Sequence, residues 1–369
     1  MSGTVGTNSS RRSGSIGTAA SGATISASDP AIDTNATLGT QWANSTSGEF
    51  YVCTDATTDE NVWTNVGAGT GDISPYSFGG TQYGYHHGGN EPSLNTIGRY
   101  SFTSDGDSAD VSTLTVARAQ CGGVSSSTHG YSVGGNSGPP SWAHDVIDKM
   151  AFASEDAATD VGNCSTDGDR AGTHSSTHGY GYGGKAFTPS QTVVNAIDKF
   201  SLSSDGNASD IGNMTVGRYM IASNSSETHG YACGGSNAIP AWAPTIQDTI
   251  DKHSFSSDGN STDVGDLLQT GSGYSGASST THGYVANLNA TIKQIQKHSF
   301  SSDGNATDVG DTTDARTSTG GNSSSTYGYV VAGASSNVID KYSFSSDGDA
   351  TDVGDVGSAI GYASGGTFI

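Results

Sequence analysis

Basic residues are scarce in this chain: 14 lysines and arginines face 36 aspartates and glutamates, for a formal net charge of −22. Nucleic acid is thereby excluded as a partner, because phosphate binding needs a basic patch, and the acidity instead keeps a long β-rich chain soluble. Only four cysteines occur, Cys53, Cys121, Cys164 and Cys233, in unrelated contexts without C-x-x-C spacing. Neither a disulfide framework nor a zinc site is indicated, and each reads as a small buried apolar residue. No apolar run is long enough to cross a membrane and no signal-peptide core stands at the start, so membrane insertion is not expected. Hydrophobic residues make up only 32% of the chain. Disorder is nevertheless not the reading beyond the first segment, because the aromatic and β-branched residues recur at fixed positions.

What is abundant is glycine, 54 residues of it, and repetition. The stretch V-I-D-K-Y-S-F-S-S-D-G-D-A-T-D-V-G at Val338 to Gly354 has near-copies throughout the chain, each preceded by T-H-G-Y or a variant of it. The tyrosine of the G-Y step falls at Tyr85, Tyr131, Tyr180, Tyr231, Tyr284 and Tyr329, at intervals of 45 to 53 residues. Such a period signals a repeat architecture. Aligned, the six copies predict four strands each: one before the G-Y step, a second ending at Gly-Gly, a third from I-D-K and a fourth from T-D-V-G. The third strand is expected to carry a large apolar side chain at Phe102, Phe152, Leu202, Phe255, Phe300 and Phe344, packing between repeats.

Asp-Gly recurs at Asp105-Gly106, Asp205-Gly206, Asp258-Gly259, Asp303-Gly304 and Asp347-Gly348, with Glu155-Asp156-Ala157 in the second copy. Between alternating strands this favours a type I′ hairpin. A second aspartate follows at Asp110, Asp160, Asp210, Asp263, Asp308 and Asp352. Turn formation is the reading for these carboxylates; calcium would need a denser set of oxygen ligands. The T-H-G-Y histidines, His129, His178, His229 and His282, are replaced by Tyr83 and Tyr327. A whole repeat separates each from the next, so packing or turn chemistry is expected rather than a metal site, and no cofactor is expected. Asn-x-Ser/Thr at Asn207, Asn260 and Asn305 arises from the repeated turn and says little about glycosylation.

The repeats do not cover the N-terminal part. Residues 1–27 read as a flexible or extended arm, which could also order against a neighbouring subunit. Residues 28–70 read as a small β module: Thr37 to Ala43 and Glu49 to Thr54 flank a turn at Asn44 to Gly48, and Asn61 to Val66 adds a third strand. Trp42 and Trp63 are its candidate assembly residues, with capping of the repeat edge as the rival role, and Gly67 to Gly71 reads as a linker. Residues 71–369 form the repeat domain. Ala359 to Ile369 resembles only the start of a repeat and is expected to supply the missing first strand of the first copy.

The G-Y-x-x-G-G steps at Tyr131, Tyr180 and Tyr231, with Arg118, Arg218 and Arg316 leading into the first strands, resemble the kelch repeat. The resemblance implies an all-β, six-bladed kelch-like β-propeller of four-stranded blades, although T-D-V-G stands where kelch blades usually carry a tryptophan. The T-H-G-Y and I-D-K-F-S-F-S-S-D-G-N-A-T-D-V-G wording is similar to repeats of predicted bacteriophage structural proteins, and Trp42 to Gly67 to modules of phage tail fibres. That implies a virion surface protein, a tail-fibre or appendage subunit, without enzymatic activity. Its expected partners are other virion subunits, through residues 1–70, copies of itself, and a host-surface glycan or receptor. Carbohydrate-active chemistry is disfavoured because the carboxylates are mostly repeated rather than unique to one copy. If the repeats are scaffold, recognition belongs in the connections between second and third strands, where Trp142, Phe187 and Trp242 stand. These rings could equally fold back over strand edges. A structural subunit that recognises nothing is the alternative.

Overall fold

The computed structural model describes residues 23–66, 82–90, 93–137, 143–186, 192–237, 246–273, 275–287, 290–334, 336–357 and 364–367. All regular elements among them are strands. The chain divides into two compact units, Met1–Tyr76 and Ser77–Ile369.

In the first unit Gln41–Asn44, Phe50–Asp55 and Val62–Asn65 form an antiparallel meander, as the alternating pattern predicts. Its first turn closes because Asn44 Oδ1 accepts from the Thr46 and Ser47 amides (2.8 and 3.0 Å) and Gly48 takes φ 79°, the usual chemistry of Asn and Gly in turns. A fourth strand was not anticipated: Thr24–Ser26, read as the end of the arm, pairs in parallel with Gln41–Asn44. Tyr51, Cys53 and Trp63 form the core, and Trp42 packs edge-on to Trp63 with ring centroids 5.9 Å apart. The Gly67 to Gly71 segment lies outside the described residues.

Among the described residues the second unit holds six four-stranded antiparallel sheets in a propeller-like arrangement. Sheet two is typical: Gly122–Ser125, His129–Val133, Val146–Ala151 and Thr159–Asn163 pair in chain order. In sheet one the first strand comes from the far end of the chain, where Ser364–Thr367 pairs with Tyr83–His87. The step between first and second strands is a serine turn. Ser126 Oγ accepts from the His129 amide at 3.0 Å, and Thr128 Oγ1 and His129 Nδ1 are 2.8 Å apart. The T-H pair is thus turn chemistry. Where tyrosine replaces this histidine, a cation covers the ring instead: Arg99 lies 4.2 Å from the Tyr83 centroid and Lys341 4.6 Å from that of Tyr327.

Each sheet meets the next through the same contacts. The G-Y tyrosine stacks on the large apolar residue of the following copy: Tyr180 on Phe255, Tyr231 on Phe300, Tyr284 on Phe344 and Tyr329 on Phe102, with centroids 4.7 to 4.9 Å apart. These residues sit one position beyond the third strand, at the start of the connection, rather than within the strand as expected. Phe300 is half-buried. Phe300→Ala is therefore expected to destabilise the chain by about 2 to 3 kcal/mol in urea denaturation, below the loss for a fully buried phenylalanine.

The Asp-Gly steps are not type I′ hairpins. Third and fourth strands are joined by longer connections, Leu202 to Ala208 in sheet three for example. Positive φ is taken by Gly206, Gly259, Gly304 and Gly348 without their aspartates; only Asp105-Gly106 has both residues positive. The neighbouring sheet holds the step instead. Lys149, Lys199, Lys252, Lys297 and Lys341, from the I-D-K segments, pair with Asp205, Asp258, Asp303, Asp347 and Asp105 respectively. The glycine of T-D-V-G abuts the Asp-Gly glycine, so closely at Gly212 that a Cβ would come within 2.2 Å of the Gly259 carbonyl. Asn207, Asn260 and Asn305 accept through Oδ1 from the amides of Asn163, Asn213 and Asp266. The Lys341–Asp105 pair and the Gly354–Gly106 contact join sheet six to sheet one in the same manner. The partly exposed ion pairs add little individually: Lys199→Met, which removes a 2.8 Å contact to a largely exposed Asp258, is expected to cost less than about 1 kcal/mol by chemical denaturation.

Candidate functional site

The aspartate of I-D-K has a structural partner that the motif alone does not announce. Asp148, Asp251 and Asp340 form buried ion pairs with Arg118, Arg218 and Arg316 at 3.0, 2.7 and 2.9 Å. The same carboxylates accept from the backbone amide and hydroxyl of Thr115, Thr215 and Thr313. A T-x-x-R segment arriving from the preceding sheet is thereby pinned to the third strand of its own sheet. In sheet three the cation comes from a different place, Arg170, 3.6 Å from Asp198. Where the aspartate is absent, so are its partners: Gln296 goes with Leu268 and Gly271, and Gly98 with Gly357 and Ile360. Gln296 Oε1 still accepts from the Leu268 amide at 2.7 Å.

With these charges engaged, attention falls on what the copies do not share. The first strands of sheets two to six, beginning with Gly122–Ser125 and ending with Gly320–Ser323, surround one cavity of about 160 Å³. They approach backbone to backbone: a Cβ on Gly276 would lie 2.2 Å from the Ser223 carbonyl. Their last residues are linked in series, the Ser225 amide donating to Ser278 Oγ (3.0 Å) and the Ser278 amide to Ser323 Oγ (2.7 Å).

At the start of these strands the equivalent positions are Gln120, Asp169, Met220, Gly273 and Ser318, each different. Asp169 is the acid of the set and is 3% exposed. Burial pushes its carboxyl up to about 7, opposed by the hydrogen bond from Asn136 Nδ2 at 2.5 Å and by the charges of Lys185 and Arg170. Arg170, next in the chain, turns away, donating through Nη1 to the Gly183 carbonyl and through Nη2 to Thr166 O at 2.7 Å. Gln120 completes the group. With its amide nitrogen toward Asp169 it lies 3.1 and 3.0 Å from the two carboxylate oxygens.

The bridges Ala119↔Asn136, Tyr219↔Ser236 and Gly135↔Gly168 set the approach to the first strands beside the tails of the second strands. The Asp169 group therefore lies at the end of the sheets where the second strands finish and the third begin. Trp142, Phe187 and Trp242 belong to connections that leave from this end, and all three lie outside the described residues. Trp42 and Trp63 belong to the first unit, Trp63 in its core. Sequence reasoning missed Asp169, Gln120 and Asn136. The signal was G-D-R-A-G-T-H, the one approach with an acid at this position, obscured because Arg170 stands closer to the strand than Arg118 or Arg218 does.

Other unassigned groups are structural. His86 Nε2 is 2.6 Å from Ser108 Oγ. The four cysteines are buried, and burial pushes the Cys164 and Cys233 thiols up to about 12. Among the described residues no cluster of three or more His, Cys, Asp or Glu could hold a metal ion. No protein-family model matches the chain, and none of the curated proteins matches it.

Proposed function

We propose that residues 77–369 form a six-bladed β-propeller closed by Ser364–Thr367, and that this propeller is a binding rather than a catalytic domain. On this reading the chain is a phage virion surface protein, a tail-fibre or appendage subunit. Its arm and β module, residues 1–70, join it to other subunits, and the unrepeated end of the propeller meets a host-surface glycan. One observation carries the binding reading: most of the recurring I-D-K and Asp-Gly charges are paired within or between sheets, whereas Asp169, Asn136 and Gln120 form a polar group unique to one place. Carboxylate and amide side chains beside aromatic loops suit the hydroxyls and apolar faces of sugars. The virion setting rests on the resemblance of the repeat wording to phage structural proteins.

The test is an array of bacterial surface polysaccharides probed with the full chain and with the Trp142→Ala/Trp242→Ala variant. Binding to a restricted set of glycans, lost in the variant, is the expected result. No binding by the intact chain, together with loss of assembly when residues 1–70 are removed, would replace recognition by a purely structural role.

A further inference from the structure

The Asp169 group has the composition of an oxygen-ligand site, and we propose that it binds a divalent cation of the calcium type at the mouth of the cavity. Asp169 is buried, and among the described residues no cation lies within ion-pair distance of its carboxylate. A buried charge of this kind is costly unless it is compensated. Its present partners are two amides, and an amide presents oxygen as readily as nitrogen. With Gln120 turned nitrogen-inward, its N–H group faces both carboxylate oxygens; turned the other way, Oε1 occupies the same place, about 3 Å from each. Asn136 Nδ2 contacts both Gln120 Oε1 and Asp169 Oδ1, so a turn of this amide brings a further oxygen to the same point.

Two amide rotations thus set amide oxygens beside the carboxylate, the hard-ligand set that calcium takes. The adjoining cavity of about 160 Å³ supplies room for the waters that complete its coordination. The site is distinct from the Asp-Gly steps, whose first aspartates are engaged by lysines of the neighbouring sheet. It does not depend on the glycan reading.

Calorimetric titration of the full chain with calcium chloride is the test, repeated on Asp169→Asn, Gln120→Met and Asp205→Asn, with thermal unfolding confirming that each variant is folded. One site per chain is expected, weakened at least tenfold by Asp169→Asn and clearly by Gln120→Met, and unchanged by Asp205→Asn. Should Asp169→Asn fail to fold, Gln120→Met alone decides. Absence of calcium uptake, uptake unaffected by Asp169→Asn or Gln120→Met, or loss on Asp205→Asn instead would overturn the assignment.

Discussion

Arg218→Met is expected to destabilise the chain by about 3 to 5 kcal/mol, the loss on stranding one member of a buried ion pair. Arg218 is 0% exposed, lies 2.7 Å from Asp251 Oδ2, and also donates to the Ala232 and Thr249 carbonyls. Without it Asp251 keeps only the Thr215 amide and hydroxyl against the cost of its buried charge. The chain already contains the neutral solution: in sheet five Gln296 faces the Leu268 amide and the arginine position is Gly271. Arg218→Met combined with Asp251→Gln should therefore recover most of the loss. Urea denaturation of the two single variants and the double variant forms the cycle that measures this coupling. A double variant as unstable as Arg218→Met alone would show that the arginine acts through packing and its carbonyl contacts, not through the aspartate.

Acid should unfold the protein well above the range in which carboxylates titrate. Burial depresses five histidines: His86, His253 and His298 to about 4, and His87 and His174 to about 3. A histidine with a folded-state value below its unfolded value of about 6.5 contributes nothing to pH dependence above that value. Below it the unfolded chain takes up protons that the folded chain refuses, and stability falls until the folded-state value is reached. Each unit of depression corresponds to about 1.4 kcal/mol, so five such groups exceed the stability of an ordinary domain. Asp169 works in the opposite sense, since a raised carboxyl favours the folded state as pH falls from about 7. One such group offsets only part of the effect of five histidines. Thermal unfolding should show a plateau above about pH 7 and a steep decline as pH falls below the unfolded histidine value of about 6.5 towards about 4.5, shallower in His298→Asn. A melting temperature independent of pH across that window would contradict the burial of these rings.

The repeat period, the four-strand unit and the pairing of residues near the C-terminus with the first repeat were legible because identical text at a fixed interval admits few architectures. The packing residues were legible too, since a large apolar side chain recurs at this position in all six copies, as at Phe255, Phe300 and Phe344. What the wording concealed was which copy touches which. Arg99 stands where other copies have lysine and Glu155 where they have aspartate, and the two pair with each other at 2.6 Å. Ser112 replaces the T-D-V-G glycine and donates to the carbonyl of Asp156, in the one copy without Asp-Gly, at 2.7 Å. Both departures are paired changes across a single sheet contact, invisible when copies are aligned one by one. The Asp-Gly steps were misjudged for the same reason, because their conformation is set by the neighbouring sheet rather than by the local strand pair. Asp169 escaped because one approach segment carries its arginine at a different position.

The proposed binding function has repeated residues hold the sheets together while the unrepeated end meets the ligand. Hydrogen exchange of the full chain, with and without the polysaccharide that scores highest on the array, tests it most directly. Protection is predicted in residues 118–122, 134–145 and 167–172, at the end where Asp169 lies. Protection centred on the repeated turns, residues 126–129 and 203–207 and their equivalents, would place recognition on the opposite end and contradict the account.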